Sequence, residues 1–285
     1  MVLEGYIKDL SDKDYHADFA ISSSALVHAL RSPAHFWANY IGNPARIEQK
    51  ETDALRYGRA IHSYLLEPDK FVEKFITAPA CDKRTKEGKA TWADITQKAE
   101  SIGATVITVD ELHQITSMAS ALADYALCDD LGRKTSFSDI FSKGTAEESF
   151  FWEDPKTGLR LRARTDWRIG SVIIDYKTCL DAREQAFRSE IVKRRYYMRA
   201  AMYMDGVEIV TGKRPTDFYF VAQEKSAPFC PAAYRLDEND LLLGQRQYQD
   251  ALLNIKACMT AGKWIGYPQI VKTLTVPAYV YEEAQ

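Results

Sequence analysis

The stretch Leu159–Thr178, LRLRARTDWRIGSVIIDYKT, decides how the rest of the chain is read. Its first half alternates, with Leu159, Leu161 and Ala163 on one side and Arg160, Arg162, Arg164 and Asp166 on the other. Period-two alternation is the pattern of a strand with one buried face. Ile169-Gly170-Ser171 reads as a turn, and Val172–Lys177 as a returning strand rich in β-branched residues. On that second arm Asp175 and Lys177 share a face while Tyr176 points the other way. Asp166 ends one arm and Asp175 the next, so the predicted hairpin gathers two carboxylates and an ammonium in one small volume.

Carboxylates that close repel, and each raises the pKa of the other. A hard divalent cation removes the repulsion, because carboxylate oxygens are its preferred ligands. With a fixed cation beside the attacking or leaving oxygen, this is the equipment of metal-assisted phosphodiester hydrolysis. The plain alternative is two strand-end aspartates near turns, with Lys177 paired to one of them. D-(x)8-D-x-K recurs by accident, so the decision rests on the remainder of the chain.

At 285 residues, with 46% hydrophobic and 27% charged side chains, the composition is that of a globular protein with a sizeable core. One domain over residues 1–285 is expected: a mainly helical part over 1–130, and a sheet core with C-terminal helices over 145–285. The chain carries no apolar run of membrane-spanning length, and its first residues are too polar for a signal peptide. The expectation is a cytoplasmic protein with no membrane partner. Five scattered cysteines without a C-x-x-C pair argue for a reducing compartment and against a zinc or iron–sulfur site. Net charge is −3, yet Leu159–Arg199 holds eleven basic against five acidic residues. A basic cleft in an acidic body suits a DNA enzyme that avoids non-specific sticking. A solvated helix would give the same count.

Ser22, Ser23 and Ser24 precede an apolar-periodic run and read as a helix N-cap. The same helix start is a ready anion site, with Arg31 two turns on and Arg46 in the loop that follows. Thr52–Leu66 is predicted as a helix carrying His62, a residue that is structural in most such settings but able to complete a metal shell. Ala78–Trp92, with Lys83, Arg84, Lys86 and Lys89, reads as a mobile basic loop, and Asp110–Leu127 as a helix. Ala146–Glu153 is a strand that pairs with the Leu159 arm. Glu147 and Glu148 stand on its opposite faces, and the register that would say which one meets Asp166 is open. A long helix is expected from about Glu184 to Met204, ended by Gly206, with Arg199 and Tyr203 on one face. Two strands, Thr216–Gln223 and Ala232–Leu236, and a helix from Asp237 to about Gly262 complete a mixed α/β sheet flanked by helices.

The ordered set G-R-A-x-H, D-(x)8-D-x-K and a helix ending in tyrosine resembles the PD-(D/E)XK nuclease superfamily, with its restriction-endonuclease-like core. Within it the segments ISSSALVHALRSPAHF, GRAIHSYLLEP, ESFFWEDPKTGLRLRARTDW, IIDYKT, YYMRAAMYMDG and WIGYP are similar to the RecE-type exonucleases of the RecB-like branch. The resemblance implies that His62, Asp166 and Asp175 hold Mg²⁺, for which Mn²⁺ substitutes. The Tyr176 carbonyl adds a ligand, and Glu147 binds through water. It implies that Lys177 polarises the attacking water or stabilises charge on the phosphate. The branch has Q-x-x-x-Y where this chain has Arg199-Ala-Ala-Met-Tyr203, so Arg199 takes a phosphate-binding role beside Tyr203. Arg164, Ser22, Ser24 and Arg31 are the further DNA contacts expected, the serines reading a 5′-phosphate. The activity implied is 5′→3′ degradation of one strand of duplex DNA from its end, leaving a 3′ overhang. The implied partners are double-stranded DNA ends and a single-strand annealing protein of the RecT type. The implied assembly is a ring of three or four copies. An endonuclease on the same scaffold, or an inactive DNA-binding clamp, are the competing readings.

Overall fold

The computed structural model describes residues 2–46, 51–82, 84–128, 132 and 134–277. In chain order the elements are β1 (Gly5–Ile7), α1 (Asp12–Ala17), α2 (Ser23–Arg31), α3 (Pro33–Asn39), α4 (Asp53–Leu66), α5 (Pro68–Lys74), β2 (Phe75–Ala78), α6 (Lys86–Ile102), β3 (Thr105–Thr108), α7 (Val109–Ala123), β4 (Ala126–Cys128), β5 (Lys134–Ser136), α8 (Phe137–Lys143), β6 (Thr145–Glu153), β7 (Arg160–Ile169), β8 (Val172–Cys179), α9 (Glu184–Arg194), α10 (Tyr196–Thr211), β9 (Asp217–Glu224), β10 (Pro231–Arg235) and α11 (Glu238–Ala261). Six strands form one mixed sheet in the order β1-β6-β7-β8-β9-β10, in which β8 and β9 run parallel and the other neighbours antiparallel. This is the mixed α/β architecture expected, a central sheet flanked by helices. None of the described helices is long and apolar enough to cross a membrane.

Two hydrophobic cores hold the helices to the sheet. The larger one packs Met198, Met202 and Val207 of α10 and Leu252 and Ile255 of α11 with Leu161, Ala163 and Phe220 of the sheet. The other packs Ile61 of α4, Ile115 and Met118 of α7 and Ile140 of α8 with Trp167, Ile174 and Val221. Burial of so many aliphatic and aromatic side chains, each worth about 1.5–3 kcal/mol, is the main force holding this arrangement.

The basic side of β7 is covered as well. Arg160 donates to the Leu3 carbonyl at 2.6 Å and to Asp18 at 3.1 Å. Arg162 donates to the carbonyls of Tyr15 and Asp18. These arginines clamp the N-terminal segment onto the sheet. Asp18 is the central acceptor and also takes the Ala20 N–H at 2.7 Å. Burial works to raise its carboxyl, but the Ala20 N–H, Arg160 and the Leu3 N–H outweigh it and hold it below the usual carboxylate range. A depressed carboxyl adds stability above its unfolded value of about 3.9 and loses it as pH falls through the folded value. Asp18→Asn is therefore expected to cost about 1–3 kcal/mol at neutral pH. The gap to wild type should close as pH drops below about 4. Chemical denaturation at the two pH values checks both the sign and the window.

Four expectations change. The helix expected over Asp110–Leu127 ends at Ala123, and Ala126–Cys128 is strand β4. Residues from Lys86 onward are helical, not loop. Thr85 caps α6 by accepting the Gly88 N–H at 3.0 Å, and a Cβ on Gly88 would lie 1.9 Å from the Asp82 carbonyl oxygen. Lys83 of that basic stretch lies outside the described residues. The single helix Glu184–Met204 is two helices, broken where Arg195 adopts a left-handed backbone at φ 56°. Gly206 does not end α10, which continues to Thr211 and is capped by Gly212 at φ 71°. Gly206 is instead a packing residue: any Cβ there would meet the Trp152 indole at 2.4 Å.

Candidate active site

The ladder between β7 and β8 pairs Ile169 with Val172, Arg168 with Ile173 and Trp167 with Ile174, then stops. The next pair would set Asp166 against Asp175. Instead the Tyr176 N–H donates to Asp166 Oδ2 at 2.7 Å, so a side-chain oxygen replaces a ladder carbonyl. β8 stays paired with β9 as far as Cys179, and β7 stays with β6. The two strands part at the two aspartates, and the gap between them is the site.

Glu147 faces Asp166 across the β6–β7 ladder, because the pairs Ala146–Trp167 and Glu148–Thr165 bracket them. This settles the register that the sequence leaves open. Glu148 turns away and is held by Arg168 at 2.6 and 2.8 Å. Glu147 itself has φ 49°, a left-handed backbone inside a strand. For a residue other than glycine that conformation carries a cost of order 1 kcal/mol or more, and such costs cluster at functional sites. From α4, His62 reaches in so that Nδ1 lies 3.9 Å from Asp166 Oδ2. His62, Glu147 and Asp166 each offer one ligand atom, all within 4.8 Å of one another.

The electrostatics follow from that crowding. Burial, then the adjacent Asp166 charge, pushes the Glu147 carboxyl up to about 8. Burial also acts to raise Asp166, but Lys177, His62, Arg199 and the Tyr176 N–H hold it below the usual range. Burial lowers His62 more than Asp166 raises it, which favours the neutral imidazole that a metal ligand requires. Lys177 is desolvated, yet Asp166 and Asp175 keep it charged.

Asp175 is separate from the three-residue group. It is 1% exposed and faces Lys177 Nζ at 2.6 Å and Arg199 Nη1 at 3.5 Å. The Lys177 contact lies off the hydrogen-bond direction, so neither Asp175 oxygen accepts a hydrogen bond. The Lys177 ammonium donates instead to the Tyr176 carbonyl at 2.9 Å, so the carbonyl expected to bind metal points into this network. A crowded set of one imidazole and two carboxylates, with a buried unsatisfied carboxylate beside it, fits a hard divalent cation.

The site opens into a cavity of about 590 Å³ whose walls include Glu147, Asp166, Arg162, Arg164, Arg199 and Tyr203. Ser22, Ser23 and Ser24 line it too. Ile21 brings them there by bonding to β7: its N–H donates to the Arg160 carbonyl at 2.8 Å, and its carbonyl accepts the Arg162 N–H at 3.0 Å. Ser22 caps α2 and lies 2.9 Å from the Ser24 hydroxyl. Arg164 is 9% exposed and engaged by Asp12 at 2.7 Å, Ser149 at 2.9 Å and the Leu10 carbonyl at 2.9 Å. It also sits 3.8 Å from Glu147. Its guanidinium is thus a strut beneath the site. Arg31 is not part of the cavity wall; its Nε donates to the Tyr267 hydroxyl at 2.7 Å. Tyr15, His16, His28 and Tyr40 also line the cavity and carry no sequence motif.

Parted strands bearing Asp166 and Asp175-x-Lys177 thus lie beside a helical histidine and a strand glutamate. A family described as the PDDEXK-like domain of unknown function (DUF3799) matches residues 22–271. The chain belongs to this family. No curated protein matches it. Among solved structures, this PDDEXK-like chain is similar to a protein of Eubacterium rectale provisionally named an exonuclease. The two share 13% identity and a TM-score of 0.57, over 97% of this chain and 98% of the other. At that identity the likeness is one of fold. A second structure, SSO0001, overlaps 72% of this chain and 88% of its own at 13% identity, and its TM-score of 0.30 gives it no weight.

The site yields a stability prediction. Glu147→Gln replaces a carboxyl that burial and Asp166 force to take up a proton on folding at neutral pH. At neutral pH in EDTA the variant should gain on the order of 1 kcal/mol, roughly 2–4 °C in Tm. It should also lose most of the further rise in Tm that Mn²⁺ gives the wild type. A lower Tm in EDTA with the Mn²⁺ response intact would contradict the assignment of Glu147.

Proposed function

We propose that this PDDEXK-like protein is a Mg²⁺-dependent 5′→3′ exonuclease of the RecE type, acting on double-stranded DNA ends. The observation that carries the reading is that one cavity is lined both by Glu147 and Asp166, two of the three candidate metal ligands, and by the start of α2. The α2 N-terminus offers N–H groups and the Ser22 and Ser24 hydroxyls. Arg162 adds positive charge from the floor, is 7% exposed, and its Nε has no partner. A terminal 5′-phosphate held there would place an internal phosphodiester at Asp166. An enzyme built that way starts at ends.

His62, Glu147 and Asp166 would hold the ion, with Asp175 adjoining. When bound, a divalent ion lowers the pKa of water and offsets charge on the phosphate. Lys177 orients the attacking water or meets the charge growing on the phosphoryl oxygens. The water oxygen bonds to phosphorus, the bond to the 3′ oxygen breaks, and that oxygen leaves protonated. Tyr203 and Arg199 border the strand path from α10. Mn²⁺ should replace Mg²⁺, since the ligands are oxygen and imidazole.

The same reading gives a 3′ overhang for an annealing protein of the RecT type, and a ring of three or four copies that keeps the duplex threaded. Both rest on the resemblance of the sequence motifs. The direct test compares duplexes ending in 5′-phosphate and in 5′-hydroxyl. The phosphate should be degraded at least tenfold faster, as expected for a lost charge-assisted contact of about 1.5–3 kcal/mol. Equal rates, with efficient cutting of closed circular DNA, would favour the endonuclease.

A further inference from the structure

Arg199 is the one cavity-wall arginine of α10, and its surroundings differ from those of Arg162 and Arg164. Arg164 donates to Asp12, Ser149 and the Leu10 carbonyl, and Arg162 donates through Nη1 to the carbonyls of Tyr15 and Asp18 while its Nε has no partner. The Arg199 guanidinium lies over the rings of Tyr196 and Tyr203, at 5.6 and 5.9 Å from their centroids. Its nearest charge is Asp175, with Nη1 3.5 Å from Oδ1. Among the described residues it donates no hydrogen bond. Its side chain is 26% exposed, so most of it is desolvated.

A guanidinium carries five donors in a planar fork that matches two oxygens of a phosphate. Holding that fork unspent and largely out of water is unfavourable unless a ligand completes it. The aromatic faces on α10 position it without using its N–H groups. Asp175, the nearest carboxylate, accepts no hydrogen bond at either oxygen. No acceptor for Arg199 exists among the described residues, and the cavity it lines is the one that contains Glu147 and Asp166.

The metal-ligand geometry points the same way. Only His62, Glu147 and Asp166 converge among the described residues. A second ion, about 3.5–4 Å from the first, would need the Asp175 carboxylate. That carboxylate already faces two fixed cations, Lys177 and Arg199.

We infer that Arg199 is the second cation of the reaction centre: its guanidinium grips the scissile phosphodiester, and the site holds one divalent ion rather than two. The inference rests on the nuclease reading for its reaction, but not for its metal count or its phosphate contact. Arg199 transfers no proton; it offsets charge on the phosphate and on the leaving oxygen.

Calorimetric titration of Mn²⁺ into the full chain should give one equivalent; two tight equivalents would overturn the inference. Arg199→Ala should keep that equivalent while hydrolysis of duplex DNA falls about 10²–10³-fold. Added guanidinium ion should restore part of the lost rate, and ammonium at the same concentration should not. An unchanged rate, or loss of Mn²⁺ binding with Arg199, would refute the assignment. If the wild type hydrolyses no DNA, the nuclease reading fails by itself. The phosphate contact is then judged in EDTA, where Arg199→Ala should weaken duplex binding roughly tenfold; undiminished binding would end it.

Discussion

Asp166→Ala is expected to lower DNA hydrolysis by a factor of about 10³ or more, the loss of several kcal/mol of metal-derived stabilisation. Asp166 is the hub of the site. It faces Glu147 across the ladder, stands 3.9 Å from His62 and accepts the Tyr176 N–H. Removing it takes a carboxylate from the ligand set and leaves the Tyr176 N–H unpaired, at a cost of about 1–3 kcal/mol in stability. Asp166→Asn separates the two effects. Its amide oxygen still accepts from Tyr176, while the charge a cation needs is gone. The asparagine variant should melt near the wild-type temperature in EDTA, show little Mn²⁺-induced rise, and be as inactive as the alanine variant. Wild-type rates in either variant would remove Asp166 from the chemistry.

The second large effect is at Lys177. Its ammonium touches the Tyr176 carbonyl and lies 3.4 Å from Asp166 and 2.6 Å from Asp175. Lys177→Ala should cut the rate by about 10²–10³-fold, as for loss of one preorganised donor aimed at developing charge. It also leaves Asp175 buried against Arg199 alone, and breaking a buried pair costs about 3–5 kcal/mol. A lower Tm is therefore expected together with the lower rate. Mn²⁺ affinity should persist, because Lys177 holds no metal. A variant that cleaves normally would show that Lys177 serves packing only.

Much of this was legible along the chain. The alternation of Leu159–Asp166 and the β-branched run before Asp175 dictate a hairpin, and β7 and β8 are that hairpin. The step from Asp175 to Lys177 along one strand face sets the pair side by side. Contacts between distant segments were not legible. Nothing local says that β7 and β8 part at Asp166, because the cause is a side-chain oxygen taking the Tyr176 N–H. Nothing local gives Glu147 its left-handed backbone. The arginines of β7 alternate like a solvent face, yet Arg162 and Arg164 are 7% and 9% exposed beneath the N-terminal segment. Three arginines on one strand face need buried acceptors. The acidic, aromatic run around Asp12, Tyr15 and Asp18 was the signal for them. Helix α6 was missed because Gly88 and its lysines read as loop, whereas Thr85 supplies the cap and Gly88 the room for Asp82.

The most direct test of the central claim uses linear duplex DNA with the 5′ end of one strand and the 3′ end of the other labelled, beside a covalently closed circle, in Mg²⁺ and in EDTA. In Mg²⁺ the 5′ label should leave early as mononucleotide while the 3′ label and the circle stay intact, and EDTA should stop the reaction. Cutting of the circle, release from the 3′ end, or equal degradation in EDTA would contradict a metal-dependent enzyme that begins at 5′ ends.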